Sequence, residues 1–221
     1  MHILYTLALG VALLLATPWW AWQMLTRRKY RAGLGERLGR VPSRLGSAEG
    51  AVWVHAVSVG EVLAVSAVLG RLRQGWPGRR LVVSTTTLAG QKLARDRFGE
   101  DNVFYFPLDF AFAIRPYLRA LRPELVVLAE TEFWPNFLRL ARRHGARIAV
   151  VNARISDRSL PRYRRWKGLL TGVLRNVDVF LAQSEEDARR LREIGADPAR
   201  VRVGGNLKFD VRPPAETTIA D

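Results

Sequence analysis

Ala51-Val-Trp-Val-His55-Ala-Val-Ser58-Val-Gly60-Glu61 is the stretch that decides the fold. Its apolar run breaks at a turn of small residues, and a carboxylate follows where a helix begins. A continuous hydrophobic run is the pattern of a parallel strand buried on both faces, and in open α/β sheets ligands bind beyond the carboxyl ends of such strands. Glu61 stands at one of those ends. The helix predicted over Val62–Gln74 presents unpaired N–H groups to this carboxylate, which favours its ionised form. Two roles are open to Glu61 at this point: proton acceptor, or first-turn acid complementing the helix dipole.

The same alternation repeats along the chain. Apolar runs of strand length lie at Ala51–Ala56, Leu81–Ser84, Val103–Phe106, Leu125–Ala129, Arg147–Val151, Val179–Ala182 and Val201–Val203. Between them, helical spacing of apolar residues predicts helices over Val62–Gln74, Ala89–Phe98, Ala111–Leu121, Trp134–Arg143, Leu160–Leu174 and Glu185–Ile194. Strands alternating with helices predict an α/β fold, a Rossmann-like doubly wound parallel sheet, over residues 51–210. Residues 27–50 are basic and glycine-rich and read as a linker, and residues 211–221, Pro213-Pro214 included, read as the start of another.

The chain has 221 residues, of which 48% are hydrophobic, enough for a proper core. It has no cysteine, which excludes disulfides, thiol nucleophiles and thiolate metal sites. Its histidines, His2, His55 and His144, are not spaced as metal ligands, so no metal is expected. Ser58-Val-Gly60-Glu61 is neither a dinucleotide turn nor a P-loop. A net charge of +15 implies an anionic partner: nucleic acid, an acidic membrane surface or a phosphorylated substrate.

The N-terminus chooses among these. No charged residue occurs from Ile3 to Thr26, a length that as a helix runs about 36 Å. Trp19, Trp20 and Trp22 follow near its end, and then Arg27, Arg28, Lys29 and Arg31, the order of an interfacial aromatic belt and a cytoplasmic basic flank. Residues 1–26 are therefore expected to anchor the chain in a membrane, with the body on the cytoplasmic side. A signal peptide would carry its positive charge ahead of the apolar run, not behind it. Pro18 leaves open a kinked helix lying in one leaflet instead of spanning.

Two more strand ends carry polar chemistry. Leu125-Val-Val-Leu-Ala-Glu130-Thr-Glu132-Phe-Trp134-Pro-Asn136 again ends an apolar strand in carboxylates before a helix. If its strand neighbours the one before Glu61, Glu130 and Glu61 repel, and one becomes a better base near neutral pH. Glu132 reads as a solvated charge at a helix start. Val201-Arg-Val-Gly-Gly-Asn206-Leu-Lys208-Phe-Asp210 brings a lysine suited to a phosphate or a leaving group, or else a plain exposed loop charge. Asn152 and Arg154 lie at a further strand end, and Ser184 suits a helix N-cap with Asp187 three residues on.

In order along the chain, Gly35-Glu-Arg-Leu-Gly39, His55-Ala-Val-Ser-Val-Gly-Glu61, Glu130-Thr-Glu-Phe-Trp-Pro-Asn136, Asn152-Ala-Arg154, Gln183-Ser-Glu-Glu-Asp187 and Gly205-Asn-Leu-Lys-Phe-Asp210 resemble the 3-deoxy-D-manno-octulosonic acid (Kdo) transferases. That resemblance implies the N-terminal, acceptor-binding half of a GT-B glycosyltransferase of the inner membrane, with the donor half absent. It implies inverting, metal-independent transfer of Kdo from CMP-Kdo to the phosphorylated lipid A precursor (lipid IVA) in lipopolysaccharide biosynthesis. It assigns Glu61 as general base and Glu130 and Lys208 as transition-state stabilisers, and it suggests Ser58, Gly60, Asn152 and Arg154 as substrate contacts. The expected partners are the lipid acceptor, an anionic membrane surface and a separate C-terminal half, with no nucleic acid and no cofactor beyond the donor substrate. The basic side chains Arg158, Arg162, Arg164, Arg165 and Lys167 suit lipid headgroups or a solvated face equally. The competing reading is a truncated, noncatalytic module that binds acceptor or membrane.

Overall fold

Strands that read as unbroken apolar runs bury both faces, and here they form one seven-stranded, wholly parallel sheet. The strands are β1 (Val52–His55), β2 (Leu81–Thr85), β3 (Val103–Tyr105), β4 (Leu125–Ala129), β5 (Arg147–Ala153), β6 (Val179–Ala182) and β7 (Val201–Val203). Their order in the sheet is β3-β2-β1-β4-β5-β6-β7. The structure is a computed structural model, and it describes residues 2–27, 32–46 and 50–207.

The chain starts at the middle of the sheet, winds outward through β2 and β3, then returns to lay β4 against the other side of β1. Right-handed crossovers then require the helices to change faces when the direction of winding reverses. They do. The helices α3 (Val59–Gly75) and α4 (Leu88–Phe98) contribute Val62, Val65, Leu69 and Ala94 to a core with Val52, Val54 and Val83. On the opposite face α5 (Ala111–Leu121), α6 (Pro135–Arg143), α8 (Lys167–Leu174) and α9 (Glu185–Glu193) cover Trp53, Phe104, Leu128, Ile148 and Phe180. Alternation along β1 thus sends Val52 and Val54 one way and Trp53 the other. Trp53 is fully buried, with ring centroids 4.8 Å from Phe137 and 5.2 Å from Phe104.

Three expectations are corrected. The helix predicted over Leu160–Leu174 is two, α7 (Leu160–Arg165) and α8, meeting at Trp166. The helix predicted from Val62 begins at Val59, so Glu61 lies inside its first turn. The basic segment 27–50, read as a linker, is packed over its described part. It contains the short helix α2 (Leu34–Arg37), and Leu45 is fully buried. Glu36 explains the docking: its carboxylate accepts the Tyr105 N–H of the edge strand β3 at 2.7 Å and pairs with Arg44 at 2.7 Å. The buried Tyr117 hydroxyl donates to the Glu36 carbonyl at 3.0 Å.

The N-terminal helix α1 (His2–Arg27) contains a stretch, His2–Trp20, long and apolar enough to cross a membrane by length and composition. Its first turns touch the body: the Asn136 amide at the start of α6 donates to the Thr6 hydroxyl at 3.0 Å. Thr6 lies about 32 Å of helix away from Arg27. A helix standing clear of the body from its Arg27 end could not make that contact, so the first turns of α1 rest on α6.

Candidate active site

The reversal of winding leaves a crevice between the carboxyl ends of β1 and β4, the topological switch point where open α/β sheets bind ligands. Glu61 and Glu130 both stand there. β1 and β4 are paired in register, His55 opposite Leu128, so the turns that carry the two carboxylates rise from neighbouring strands.

Glu61 is held by its own turn. Ser58 is the N-cap of α3, and Glu61, three residues on, reaches back: its carboxylate accepts the Val57 N–H at 2.8 Å and the Ser58 hydroxyl at 2.9 Å. This is a variant of the reciprocal box in which a first-turn Glu satisfies a donor ahead of the helix. The carbonyl of the same Val57 accepts from the backbone of Thr87 and from its hydroxyl, each at 3.1 Å. Thr87 is in turn the N-cap of α4, accepting from Gly90 N–H. A side chain at buried Gly90 would meet the Val57 carbonyl at 3.1 Å, so glycine lets α4 press against the turn that aims Glu61. Gly60, by contrast, is exposed with room for a side chain, and nothing within the protein demands glycine there.

Burial outweighs the helix terminus. The Glu61 carboxyl is pushed above its usual range chiefly by desolvation; the Val57 and Ser58 hydrogen bonds oppose this, and the charge of Glu130 reinforces it. A partly buried, basic carboxylate at the switch point is what a general base requires.

Glu130 adopts a left-handed backbone, φ 58°, directly after β4, while its N–H still continues the ladder to the Val151 carbonyl at 2.9 Å. A non-glycine residue in that region carries strain, which concentrates at functional sites. Glu132, expected to be a solvated charge, is a correction: it is half-buried, and its carboxyl is pushed up to about 7 by burial, then by the charge of Glu61, and further by that of Glu130. The switch point therefore holds three interacting carboxyl groups. Sequence reading missed the third because spacing along a chain does not reveal burial; its place two residues after Glu130 was the available signal.

The other sequence candidates separate. Asn152 is 1% exposed, its backbone is left-handed (φ 55°), and its side-chain oxygen accepts the Leu207 N–H at 3.1 Å. Its Oδ1 braces the β5 end against the segment after β7, while its Nδ2 is buried without a hydrogen-bond partner among the described residues. Arg154 is exposed, its carbonyl accepting from the Thr131 hydroxyl at 3.1 Å, which joins the turn after β4 to the turn after β5. Ser184 caps α9, accepting from Asp187 N–H as its spacing implied. Lys208 lies outside the described residues.

His55, beside this crevice, is fully buried and stacked on Phe106 at 3.9 Å. Its Nδ1 lies 3.1 Å from the Ser84 carbonyl and 3.0 Å from the Ser84 hydroxyl. Burial holds its pKa down to about 3, so it stays neutral at physiological pH. Among the described residues no group of His, Cys, Asp and Glu is arranged to hold a metal ion.

Comparison with known proteins gives this geometry its context. The family model described as 3-deoxy-D-manno-octulosonic-acid transferase (kdotransferase) matches residues 32–211. The 3-deoxy-D-manno-octulosonic acid transferase of Bordetella pertussis is 38% identical over 226 residues, covering 95% of this chain and 50% of that protein. The enzyme of the same name from Chlamydia pneumoniae is 34% identical, covering 92% and 47%. The chain thus spans about half the length of these relatives. Among solved structures, UDP-GlcNAc 2-epimerase from Neisseria meningitidis bound to UDP-GlcNAc aligns with a TM-score of 0.52 at 14% identity, over 72% of this chain and 48% of that one. A putative UDP-N-acetylglucosamine 2-epimerase from Listeria monocytogenes gives 0.54 at 15%, over 74% and 46%. At such identities the likeness concerns the fold: a parallel Rossmann-like sheet of the GT-B kind, covering about half of each of those chains. A sheet of that fold, with its carboxylates at the switch point and a family model matched across most of its length, places the chain in the Kdo transferase family.

Proposed function

We propose that the chain is the acceptor-side half of a glycosyltransferase that moves Kdo from CMP-Kdo to the lipid A precursor in lipopolysaccharide biosynthesis. The observation that carries the reading is Glu61: a carboxylate buried at the β1–β4 switch point, held by Val57 and Ser58, with its basicity raised by burial and by Glu130. In the reaction, Glu61 takes the proton from a glucosamine hydroxyl of the acceptor. That oxygen bonds to the anomeric carbon of Kdo as the bond from this carbon to the CMP phosphate breaks, with inversion, and the electron pair leaves on CMP. The sugar passes through oxocarbenium character. Glu130 stabilises that charge, and Lys208 offsets the charge developing on the departing phosphate. Ser58 keeps Glu61 oriented, and the open surface at Gly60 leaves room for the acceptor. No metal or cofactor enters the scheme; CMP-Kdo is a substrate, bound mainly by a C-terminal half.

The work is placed at the cytoplasmic face of the inner membrane, with α1 lying in one leaflet beside α6. That placement rests on the apolar His2–Trp20 stretch, the contact of its first turns with the body, and the net charge of +15.

The test is transfer from CMP-Kdo to lipid IVA in an assembly that includes a donor half. The Glu61→Gln variant is expected to lose transfer by at least about a hundredfold, the usual scale of general-base removal, and to keep its fold. Wild-type turnover in that variant would remove the assignment. The second reading is a noncatalytic acceptor-binding module. Assaying the 221-residue chain alone separates the two, since turnover comparable to that of a two-domain relative would rule the module out.

A further inference from the structure

The face of the sheet that α1 touches through α6 carries a second surface with no assigned role. Residues 154–175 hold seven basic side chains against one acid, Asp157. That acid is taken by Arg190 of α9 at 2.5 Å. Arg164 is paired with Glu193, but Arg158, Arg162 and Arg165 are exposed and join no ion pair among the described residues. In their midst, where α7 meets α8, Trp166 is 53% exposed and Leu169 42%. Core packing explains neither, and a tryptophan with its ring in solvent is the residue most at home between headgroups and acyl chains. Tyr163, by contrast, packs on the core beneath this surface.

The position of this elbow matters as much as its chemistry. α8 packs on α6, and α6 on α1, so the elbow and the apolar helix share one face of the sheet. α7 follows the carboxyl end of β5, and the Thr131 to Arg154 hydrogen bond ties that end to the turn bearing Glu130. The elbow therefore stands at the same end of the sheet as the three carboxyl groups. One apolar segment in a leaflet is a weak anchor, and stable attachment takes a second signal such as a basic patch.

We propose that the α7–α8 elbow is a second lipid contact, seating Trp166 and Leu169 among the headgroups of an anionic bilayer with Arg158, Arg162 and Arg165 on its phosphates. Together with α1 it fixes two points on one face and turns the switch point toward the membrane. This orienting role rests on the lipid-acceptor reading given above; the headgroup contact itself does not.

The chain has no cysteine, so Trp166→Cys gives it a single thiol for an environment-sensitive fluorophore. The control is Gly70→Cys, exposed on α3 across the sheet, where an added side chain meets nothing within 4 Å. The 221-residue chain with α1 intact is added to phosphatidylcholine vesicles with and without phosphatidylglycerol. The label at position 166 is expected to shift to the blue on the anionic vesicles, and the label at 70 to stay aqueous. Arg162→Glu combined with Arg165→Glu should weaken binding to those vesicles by at least about tenfold, given roughly 1 kcal/mol for each basic side chain near the surface. Several results would overturn the proposal: a label at 166 that stays aqueous while the chain is bound, equal shifts at both positions, or unchanged affinity in the double variant. Release of the chain by a generic DNA duplex would also overturn it, assigning the charge to nucleic acid. None of these measurements involves CMP-Kdo or a donor half, so their failure leaves the carboxylate chemistry standing, and failure of the chemistry leaves the lipid contact standing.

Discussion

Two carboxyl groups at the switch point are raised by burial, and each consequence can be measured. Glu61 must be ionised to accept a proton, and burial raises its pKa. The rate of transfer is therefore expected to fall on acidification at a pH above the usual carboxylate range of about 4.5, and a limb found below that value would contradict its burial. Glu132 bears on stability. Its pKa rises from 4.5 to about 7 on folding, so the folded state holds that proton more tightly. The corresponding stability is present below about pH 4.5 and is lost as pH rises through about 7. Glu132→Gln removes the ionisation. It is expected to match wild type at about pH 4 and to exceed it at pH 8 by up to about 3 kcal/mol, because each tenfold change in proton affinity is worth about 1.4 kcal/mol. Chemical denaturation at the two pH values checks this, and a variant no more stable at pH 8 would mean that Glu132 is solvated. That residue also marks where sequence reading stops. Glu61 and Glu130 were recognisable because each ends an apolar strand, whereas the burial of Glu132 depends on a fold around it that no local pattern encodes.

At the scale of elements, the hydrophobic period carried most of the information. All seven strands were legible because a parallel sheet buries both faces and so writes each strand as an unbroken apolar run. The break at Trp166 was not, since the residues on either side keep helical spacing and only three-dimensional packing separates α7 from α8. The docked segment around α2 was missed for a related reason: its glycines and arginines have the composition of a linker. Among the contacts that hold it is the Glu36 carboxylate, which accepts an edge-strand N–H, beside buried Leu45 and the Tyr117 hydroxyl. Glu36→Ala leaves the Tyr105 N–H and the Arg44 guanidinium without that partner and is expected to cost about 1–3 kcal/mol. Glu124→Ala, which removes a pair with Arg79 whose side chains are 45% and 57% exposed, is expected to cost under about 1 kcal/mol. Equal costs in urea denaturation would mean that Glu36 is merely a surface charge.

For the molecule as a whole, the winding of the sheet generates the site. Because the chain starts at β1 and returns to lay β4 beside it, two strand ends separated by more than sixty residues in sequence meet at one crevice. Among the described residues the crevice has a sheet on one side only, and the relatives are about twice as long as this chain. On the proposed reading the donor half supplies the other wall. Full turnover is then expected only when a donor half is joined to this chain, with the isolated chain retaining acceptor and membrane binding. The central claim is that Glu61 is the base in that composite site. The most direct measurement is Kdo transfer from CMP-Kdo to lipid IVA by the assembled halves, wild type against Glu61→Gln at matched folding stability. Loss of transfer by about a hundredfold or more with acceptor binding retained is the expected result, and transfer at the wild-type rate would contradict the account.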